Sequence, residues 1–301
     1  MNILIFGANG WIGSKVVLLL AKLAKQQKQK QLQYVKAKSR ADDIESIRRE
    51  ISEQSEPITH IMSFIGRTHG VHEGKKITTI DYLEKEGKLV ENVRDNLFAP
   101  VALALLCKEL NIHFTYLGTG CIFDGFDKDG FTEESKPNFF GSSYSIVKGF
   151  TDQLMHLLEN TVLNVRIRMP ITDEFNERNF IYKITHYERI CSIPNSMTVL
   201  NELLPIMIDM ALFKRLTGTI NLTNPGLISH NEILKMYKDI VDKDFEWKNF
   251  SIEEQNEILL SKRSNNLLDT SKLEELYPNV SNIQDSVGDI LKNMKKNKKN
   301  I

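Results

Sequence analysis

Asn2-Ile3-Leu4-Ile5-Phe6-Gly7-Ala8-Asn9-Gly10-Trp11-Ile12-Gly13 decides the fold. Asn2–Phe6 is a short apolar run that stops at glycine, the pattern of a buried strand. From Trp11 to Lys25 the apolar residues Ile12, Val16, Leu19, Leu20 and Leu23 recur at helical spacing. Between strand and helix stands GxxGxxG, with Gly7, Gly10 and Gly13. A backbone that turns this tightly and lets a pyrophosphate approach has no room for side chains. The helix start that follows offers N–H groups and partial positive charge to an anion. Gly7, Asn9, Gly10, Trp11, Ile12 and Gly13 are therefore the expected dinucleotide contacts.

The same alternation continues outward. Leu32–Ala37, Ile58–Phe64, His113–Leu117, Val162–Ile167 and Gly218–Leu222 read as strands. Ala41–Glu53, Asn96–Leu110, Ser142–Glu159 and Leu200–Arg215 read as helices, as do Asn179–Tyr187, His230–Val241, Ile252–Leu260 and Val287–Met294. Strands alternating with helices predict an α/β fold, a Rossmann-type doubly wound parallel sheet. The expected division is a dinucleotide-binding domain over 1–168, with 193–217 returning to it. Residues 169–192 and 218–301 are expected to form a smaller C-terminal substrate lobe.

Composition narrows the class. In 301 residues, 39 Lys plus Arg balance 39 Asp plus Glu. Zero net charge removes the usual electrostatic motive for nucleic acid or anionic membrane as partner. The basic end, Lys292–Lys299, and the polar stretch Lys25–Gln33 read as solvated segments. No apolar run reaches the roughly 18 residues needed to span a bilayer. Cys107, Cys121 and Cys191 are too few and too scattered for a disulfide framework, which suits a reducing cytoplasm. His60, His69 and His72 lack the acid grouping of a metal site, so none is expected.

The second strand bears on the dinucleotide. NAD sites place an acid roughly 20 residues past the glycines to hold the ribose hydroxyls. Here the strand ends Lys36-Ala37-Lys38-Ser39-Arg40, with no acid before Asp42. Ser39 and Arg40 could hold a 2′-phosphate, so NADPH is the expected cofactor, with NADH the alternative. Arg40 could equally be a solvated helix start.

Tyr144-Ser145-Ile146-Val147-Lys148 is YxxxK, which on a helix places both side chains on one face. An ammonium beside a phenol favours the phenolate and makes Tyr144 a usable acid or base. Thr119, in Gly118-Thr119-Gly120-Cys121, ends a strand 25 residues earlier. With the glycine turn, this set resembles the extended short-chain dehydrogenases/reductases that act on nucleotide sugars. The resemblance implies that Thr119, Tyr144 and Lys148 form the hydride-transfer set. Asn96 resembles an Asn often found near such sites, although a plain polar helix role competes.

Further stretches narrow it. Gly118–Gly125, Lys136-Pro137-Asn138-Phe139, Arg166-Ile167-Arg168-Met169-Pro170, Arg178-Asn179-Phe180-Ile181, Ile193–Leu200 and Arg263-Ser264-Asn265-Asn266 together resemble the bifunctional UDP-4-keto-6-deoxyglucose 3,5-epimerase/4-reductases. These complete UDP-L-rhamnose and form the last domain of plant rhamnose synthases. The likeness covers nearly the whole chain. The Lys- and Asn-rich composition resembles giant DNA viruses of the mimivirus type more than plants, and would place the enzyme in the host cytoplasm.

The resemblance implies a chemistry. A 4-keto group acidifies the protons at C-3 and C-5, and inversion needs one group to remove each and another to return it on the opposite face. Cys121 and Lys183 match the family's acid–base pair. The bland readings are a small buried apolar cysteine and a surface helix lysine, and His186 is the substitute partner for Cys121. Arg67, Thr68, Asn96, Asn179, Asn195 and Arg263 are the expected substrate contacts. The segment Gly66–Gly70 and the charged insert Glu73–Leu89 depart from the plant pattern. A separate UDP-glucose 4,6-dehydratase is expected to supply the UDP-sugar, and helix pairing across a two-fold axis to give a homodimer. The alternatives are a 4-reductase without epimerase activity and an inert NADP-binding regulatory subunit.

Overall fold

The computed structural model describes residues 1–26, 32–126 and 129–298. Part of the stretch Lys25–Gln33, and Lys299 of the basic end, lie outside the described residues.

β1 (Asn2–Phe6) leads through the glycine turn into α1 (Trp11–Gln26), followed by β2 (Gln33–Lys36), α2 (Ile44–Ser52) and β3 (His60–Ser63). A hairpin, β4 (Gly70–His72) and β5 (Lys75–Ile77), comes next. A helical run then holds α3 (Leu89–Val93) and α4 (Ala99–Glu109), joined by a widened turn over Arg94–Phe98. β6 (His113–Thr119), α5 (Ser143–His156) and β7 (Val162–Ile167) follow. After them come α6 (Phe180–Ile184), α7 (Leu200–Ile208), β8 (Gly218–Asn221), α8 (His230–Ile240), α9 (Ile252–Ile258), α10 (Ser271–Leu276) and α11 (Ile283–Lys298).

Six strands form one parallel sheet in the order β2-β1-β3-β6-β7-β8. The order reverses between β1 and β3, and there a crevice opens at the carboxyl ends of the strands. The pleat sorts the core into two layers. Ile3 and Ile5 pack with Val16 and Leu20 of α1 and Leu203 and Met207 of α7. Leu4 and Phe6 face the other way, toward Ile47, Leu103 and Met155 of α2, α4 and α5. A third core, with Ile181, Ile233, Leu234, Val287 and Leu291, builds the smaller lobe from α6, α8 and α11.

The boundary expected at 218 shifts. β8 is hydrogen-bonded to β7, with Asn164 opposite Thr219, so Gly218–Asn221 is the sheet's last strand. Leu273 of α10 also joins the sheet core. Conversely, Met197 and Val199 pack in the lobe core although 193–217 was expected to return whole to the sheet. Both exchanges follow from which apolar face each short element has to cover.

The helical run begins at Leu89, ahead of the expected Asn96. Pro100 supplies no N–H, and the widened turn before it lets the Ala99 N–H reach back to the Arg94 carbonyl. The insert Glu73–Leu89 contains β5, a strand its charged sequence does not announce. Its hairpin turns on Glu73 and Gly74, with φ of 49° and 75°, the left-handed pair that a two-residue hairpin turn requires. No described helix is long and apolar enough to cross a membrane.

Candidate active site

The glycine turn is built as its sequence requires. Gly7 has φ +72°, and its carbonyl accepts from the Gly10 N–H at 2.9 Å. A Cβ on Gly13 would stand 2.1 Å from the Gly7 oxygen, and one on Gly7 would stand 2.9 Å from the Phe64 carbonyl carbon. The cradle is thus closed to side chains and open to a pyrophosphate, with the first N–H groups of α1 beside it. Asn9 is exposed in the turn, and Lys36, the last residue of β2, donates to its Oδ1 at 3.3 Å. The residues fit a dinucleotide.

Ser39 and Arg40 have partners within the protein. The Ser39 hydroxyl donates to the Ser46 carbonyl at 3.1 Å, and the Lys38 and Ser39 N–H groups both donate to the Glu50 carboxylate at 2.8 Å. Arg40 pairs with Asp42 at 2.9 Å, so its guanidinium already has a carboxylate. Lys36, not singled out in the sequence, is the cation that reaches the glycine turn.

Thr119, Cys121, Tyr144 and Lys148 are brought together at the end of β6 and the first turns of α5. Ser142 caps α5 by accepting from the Ser145 N–H at 3.1 Å, which sets Tyr144 in the first turn and Lys148 directly beneath it. The Thr119 hydroxyl accepts from the Cys121 N–H at 3.1 Å and lies close to Tyr144. Tyr144 packs with Tyr82, Leu83 and Cys121. Lys148 shares the helix face of Tyr144, as the spacing predicts, but its ammonium is held elsewhere. Its ammonium donates to the Tyr116 hydroxyl of β6 and lies 3.4 Å from the Leu117 carbonyl. Burial, then the neighbouring Cys121, pushes the Tyr144 phenol above its ordinary range, and the nearby Thr119 hydroxyl opposes this. Burial also brings Lys148 down to about 8, against the pull of Asp152 and Cys121.

Lys183, half-buried on α6, belongs to a second group. Burial lowers its pKa, Arg178 lowers it further, Glu177 opposes and Arg263 adds to the lowering. The Gly66–Gly70 segment and the insert each reach this group once. Arg178 Nη2 lies 2.7 Å from His69 Nε2, and Lys76 of β5 pairs with Glu177 at 2.7 Å. His186 stacks on Tyr182 and uses its Nδ1 on the Tyr182 carbonyl at 2.8 Å.

Most of the expected substrate contacts are braces. Asn179 caps α6, accepting from the Thr172 and Ile181 N–H groups and donating to the Thr172 and Glu174 carbonyls at 2.8 Å. Asn195 accepts from Arg168 at 2.7 Å and from the Asn266 N–H at 3.0 Å. Both are fully buried with their polar atoms engaged by protein, so they shape the site without facing a ligand. Asn96 holds the loop before the hairpin, exchanging 2.9 Å hydrogen bonds with the backbone N–H and carbonyl of Arg67. The Arg67 guanidinium is paired with Asp95 at 2.8 Å, and Arg263 with Asp81 at 2.5 Å. Thr68 lies beside His69, Oγ1 to Nδ1 3.1 Å.

Sequence reasoning missed the buried charges beneath Lys148. Asp152 and Arg166 form a two-point ion pair, and Asn164 donates to Asp152 at 2.8 Å. The available signal was the spacing Tyr144, Lys148, Asp152, His156, one stripe of α5. It also missed Glu174, which pairs with Lys15 and accepts from the Trp11 indole at 3.2 Å, tying the smaller lobe to the start of α1. Among the described residues, no group of three or more His, Cys, Asp or Glu could hold a metal ion.

No family model matches the chain. It is 56% identical to a UDP-rhamnose synthase of Acanthamoeba polyphaga mimivirus, whose crystal structure superimposes with a TM-score of 0.90, covering 98% of this chain and 99% of that one. It is 42% identical over 294 residues to a bifunctional dTDP-4-dehydrorhamnose 3,5-epimerase/dTDP-4-dehydrorhamnose reductase of Arabidopsis thaliana, covering 95% of this chain and 91% of the relative. A trifunctional UDP-glucose 4,6-dehydratase/UDP-4-keto-6-deoxy-D-glucose 3,5-epimerase/UDP-4-keto-L-rhamnose-reductase of the same plant is 40% identical over 294 residues, 95% of this chain but 41% of that longer protein. A dTDP-4-dehydrorhamnose reductase of Bacillus anthracis in complex with NADP shares the fold at a TM-score of 0.72 and 16% identity, covering 96% of both chains. The glycine cradle, the Thr119–Tyr144–Lys148 cluster and these relatives agree: the chain belongs to the bifunctional nucleotide-sugar 3,5-epimerase/4-reductases of rhamnose formation, on the extended short-chain dehydrogenase/reductase fold.

Proposed function

We propose that this protein converts UDP-4-keto-6-deoxyglucose to UDP-L-rhamnose, with NADPH as the reductant. One observation carries the reading: Thr119, Cys121 and Tyr144 converge at the carboxyl end of β6. Lys148 lies one helical turn below Tyr144.

In the epimerisation half, Cys121 and Lys183 act as the acid–base pair at C-3 and C-5, one removing a proton and the other returning one to the opposite face. The lowered pKa of Lys183 suits proton exchange nearer neutrality than a free lysine allows. Thr119 and Tyr144 donate to the C-4 oxygen while negative charge develops there. In the reduction half, bound NADPH supplies the hydride to C-4. Tyr144 delivers its phenolic proton to the C-4 oxygen, and the raised pKa keeps that proton in place until the oxygen becomes basic. The Lys148 ammonium stabilises the phenolate left behind.

Lys36, beside the glycine turn where NAD enzymes carry an acid, supports a 2′-phosphate and so NADPH. The sugar comes from a 4,6-dehydratase acting beforehand. Phe98 and Leu105 on the α3–α4 run, and Phe150, Leu154 and Leu157 at α5, are exposed, which favours a homodimer packed through these helices. The unpaired cysteines suit the cytoplasm, that of the host cell if the gene is viral.

The test follows the two halves separately. Without NADPH, wild-type protein in heavy water should incorporate deuterium at C-3 and C-5 of the keto sugar. With NADPH it should consume the cofactor and form UDP-L-rhamnose. Cys121→Ala should lose deuterium incorporation and keep NADPH binding. Turnover only of a 4-keto sugar that is already epimerised would make the protein a reductase with a structural Cys121.

A further inference from the structure

We infer that Tyr116 is a positioning residue of the reduction step, holding the Lys148 ammonium in its buried seat; this rests on the reading of Tyr144 and Lys148 as the hydride-transfer pair. Tyr116 stands three residues before Thr119 on β6. It is 1% exposed and Lys148 is 4% exposed. The Lys148 ammonium donates to the Tyr116 hydroxyl and lies 4.5 Å from the centre of its ring. The Leu117 carbonyl, at 3.4 Å, is a longer second contact.

A buried ammonium keeps its charge only where acceptors and negative potential replace water. The groups that face Lys148 are few. Asp152 lies one turn further on α5, Cys121 follows β6, and Tyr116 is on β6 itself. Asp152 is bonded at both oxygens to Arg166 of β7, so its charge is largely committed there. The direct, polar contact is therefore the Tyr116 oxygen. Burial, then the charges of Tyr144 and Asp152, hold the Tyr116 phenol well above its ordinary range. It stays protonated and acts as a neutral acceptor toward Lys148, whereas the Tyr144 proton is the one delivered to substrate. Two tyrosines thus flank one lysine with different tasks: Tyr144 gives a proton to substrate, and Tyr116 holds the cation that supports it.

The sign of the consequence is determined. Removing an acceptor from a cation favours its neutral form. Lys148 should then lose its proton at lower pH, and the alkaline limb of reduction should follow. The experiment measures NADPH-dependent reduction of UDP-4-keto-6-deoxyglucose from about pH 6 to about pH 10 for wild type, Tyr116→Phe, Lys148→Met and the double variant. Tyr116→Phe should move the alkaline limb of kcat about one pH unit lower and reduce kcat at pH 8 by roughly fivefold. Deuterium incorporation at C-3 and C-5 without NADPH should stay as in wild type. In the Lys148→Met background, Tyr116→Phe should cost nothing further. An unmoved pH profile, or the same loss with Lys148 absent, overturns the proposal. If Tyr116→Phe does not fold, 3-fluorotyrosine at position 116, a weaker acceptor of the same shape, should shift the limb in the same direction by less, and an unmoved limb overturns the proposal. A wild-type protein that consumes no NADPH, or a Tyr144→Phe variant as active as wild type, would instead overturn the hydride-transfer reading.

Discussion

Asp152 on α5 and Arg166 on β7 meet in a two-point ion pair, Nε to Oδ1 2.9 Å and Nη2 to Oδ2 2.7 Å, with both side chains almost wholly buried. Burial raises the Asp152 pKa, but the hydrogen bonds from Arg166 and Asn164, with His156 close by, outweigh it and hold the carboxyl at about 2. The pair ties the catalytic helix to the sheet. Asp152→Asn would leave the Arg166 guanidinium buried without its counter-ion. Breaking one side of such a pair costs about 3–5 kcal/mol. Urea unfolding should show a midpoint lowered accordingly; a loss under about 1 kcal/mol would mean that the pair is dispensable.

Gly13→Ala should abolish dinucleotide binding. Its Cβ would stand 2.1 Å from the Gly7 oxygen, which belongs to the backbone of the turn and cannot swing aside. Fluorescence titration with NADPH should show affinity reduced at least about a hundredfold, in line with several kcal/mol of steric cost at a packed site.

Lys36→Glu should reverse the cofactor preference. The ammonium lies 3.3 Å from Asn9 Oδ1 at the mouth of the cradle, whereas Arg40 is paired with Asp42. An acid there repels a 2′-phosphate and accepts from ribose hydroxyls. The ratio of kcat/KM for NADPH over NADH should fall by roughly ten- to a hundredfold, the scale of a charge-assisted hydrogen bond. Arg40→Ala should leave the ratio near its wild-type value.

Acid should destabilise the fold in two stages. Burial, then the charges of His113 and Arg215, hold His60 down to about 3, and burial brings His230 to about 4. Each is neutral when folded and binds a proton near 6.5 when unfolded. Their stabilisation is complete above about 6.5 and is lost as pH falls toward 4 and 3. Asp81 and Asp152, held at about 2, add a loss only below about 3.8. Thermal unfolding from about pH 7 down to about pH 4 should show a falling midpoint, and His60→Asn should flatten its upper part.

Phe150→Glu should yield a monomer by light scattering. Phe150 is 55% exposed on α5, beside Leu154 and Leu157 on the same helix surface. A dimer that survives this charge would place the interface elsewhere.

The alternation of strands and helices along the chain, opening at the glycine turn, sufficed for the α/β fold and the dinucleotide cradle because those depend on neighbours in the chain. Strand periodicity, glycine in a tight turn and a helix that follows at once are local facts. The YxxxK spacing likewise put Tyr144 and Lys148 on one helix face before any tertiary contact was known. What sequence could not reach was the partner of each polar group. Asn179 and Asn195 looked like ligand contacts and are braces, because their partners come from Thr172, Arg168 and Asn266, up to 71 residues away. The partners of Ser39 and Arg40, Ser46 and Asp42, were likewise not legible in the strand-end pattern. Lys148 was expected to depress the Tyr144 pKa, yet burial raises it and the ammonium rests on Tyr116, 32 residues earlier on another strand. Burial and hydrogen-bond partnership are properties of packing, so only the tertiary structure decides which charged side chains remain free for chemistry.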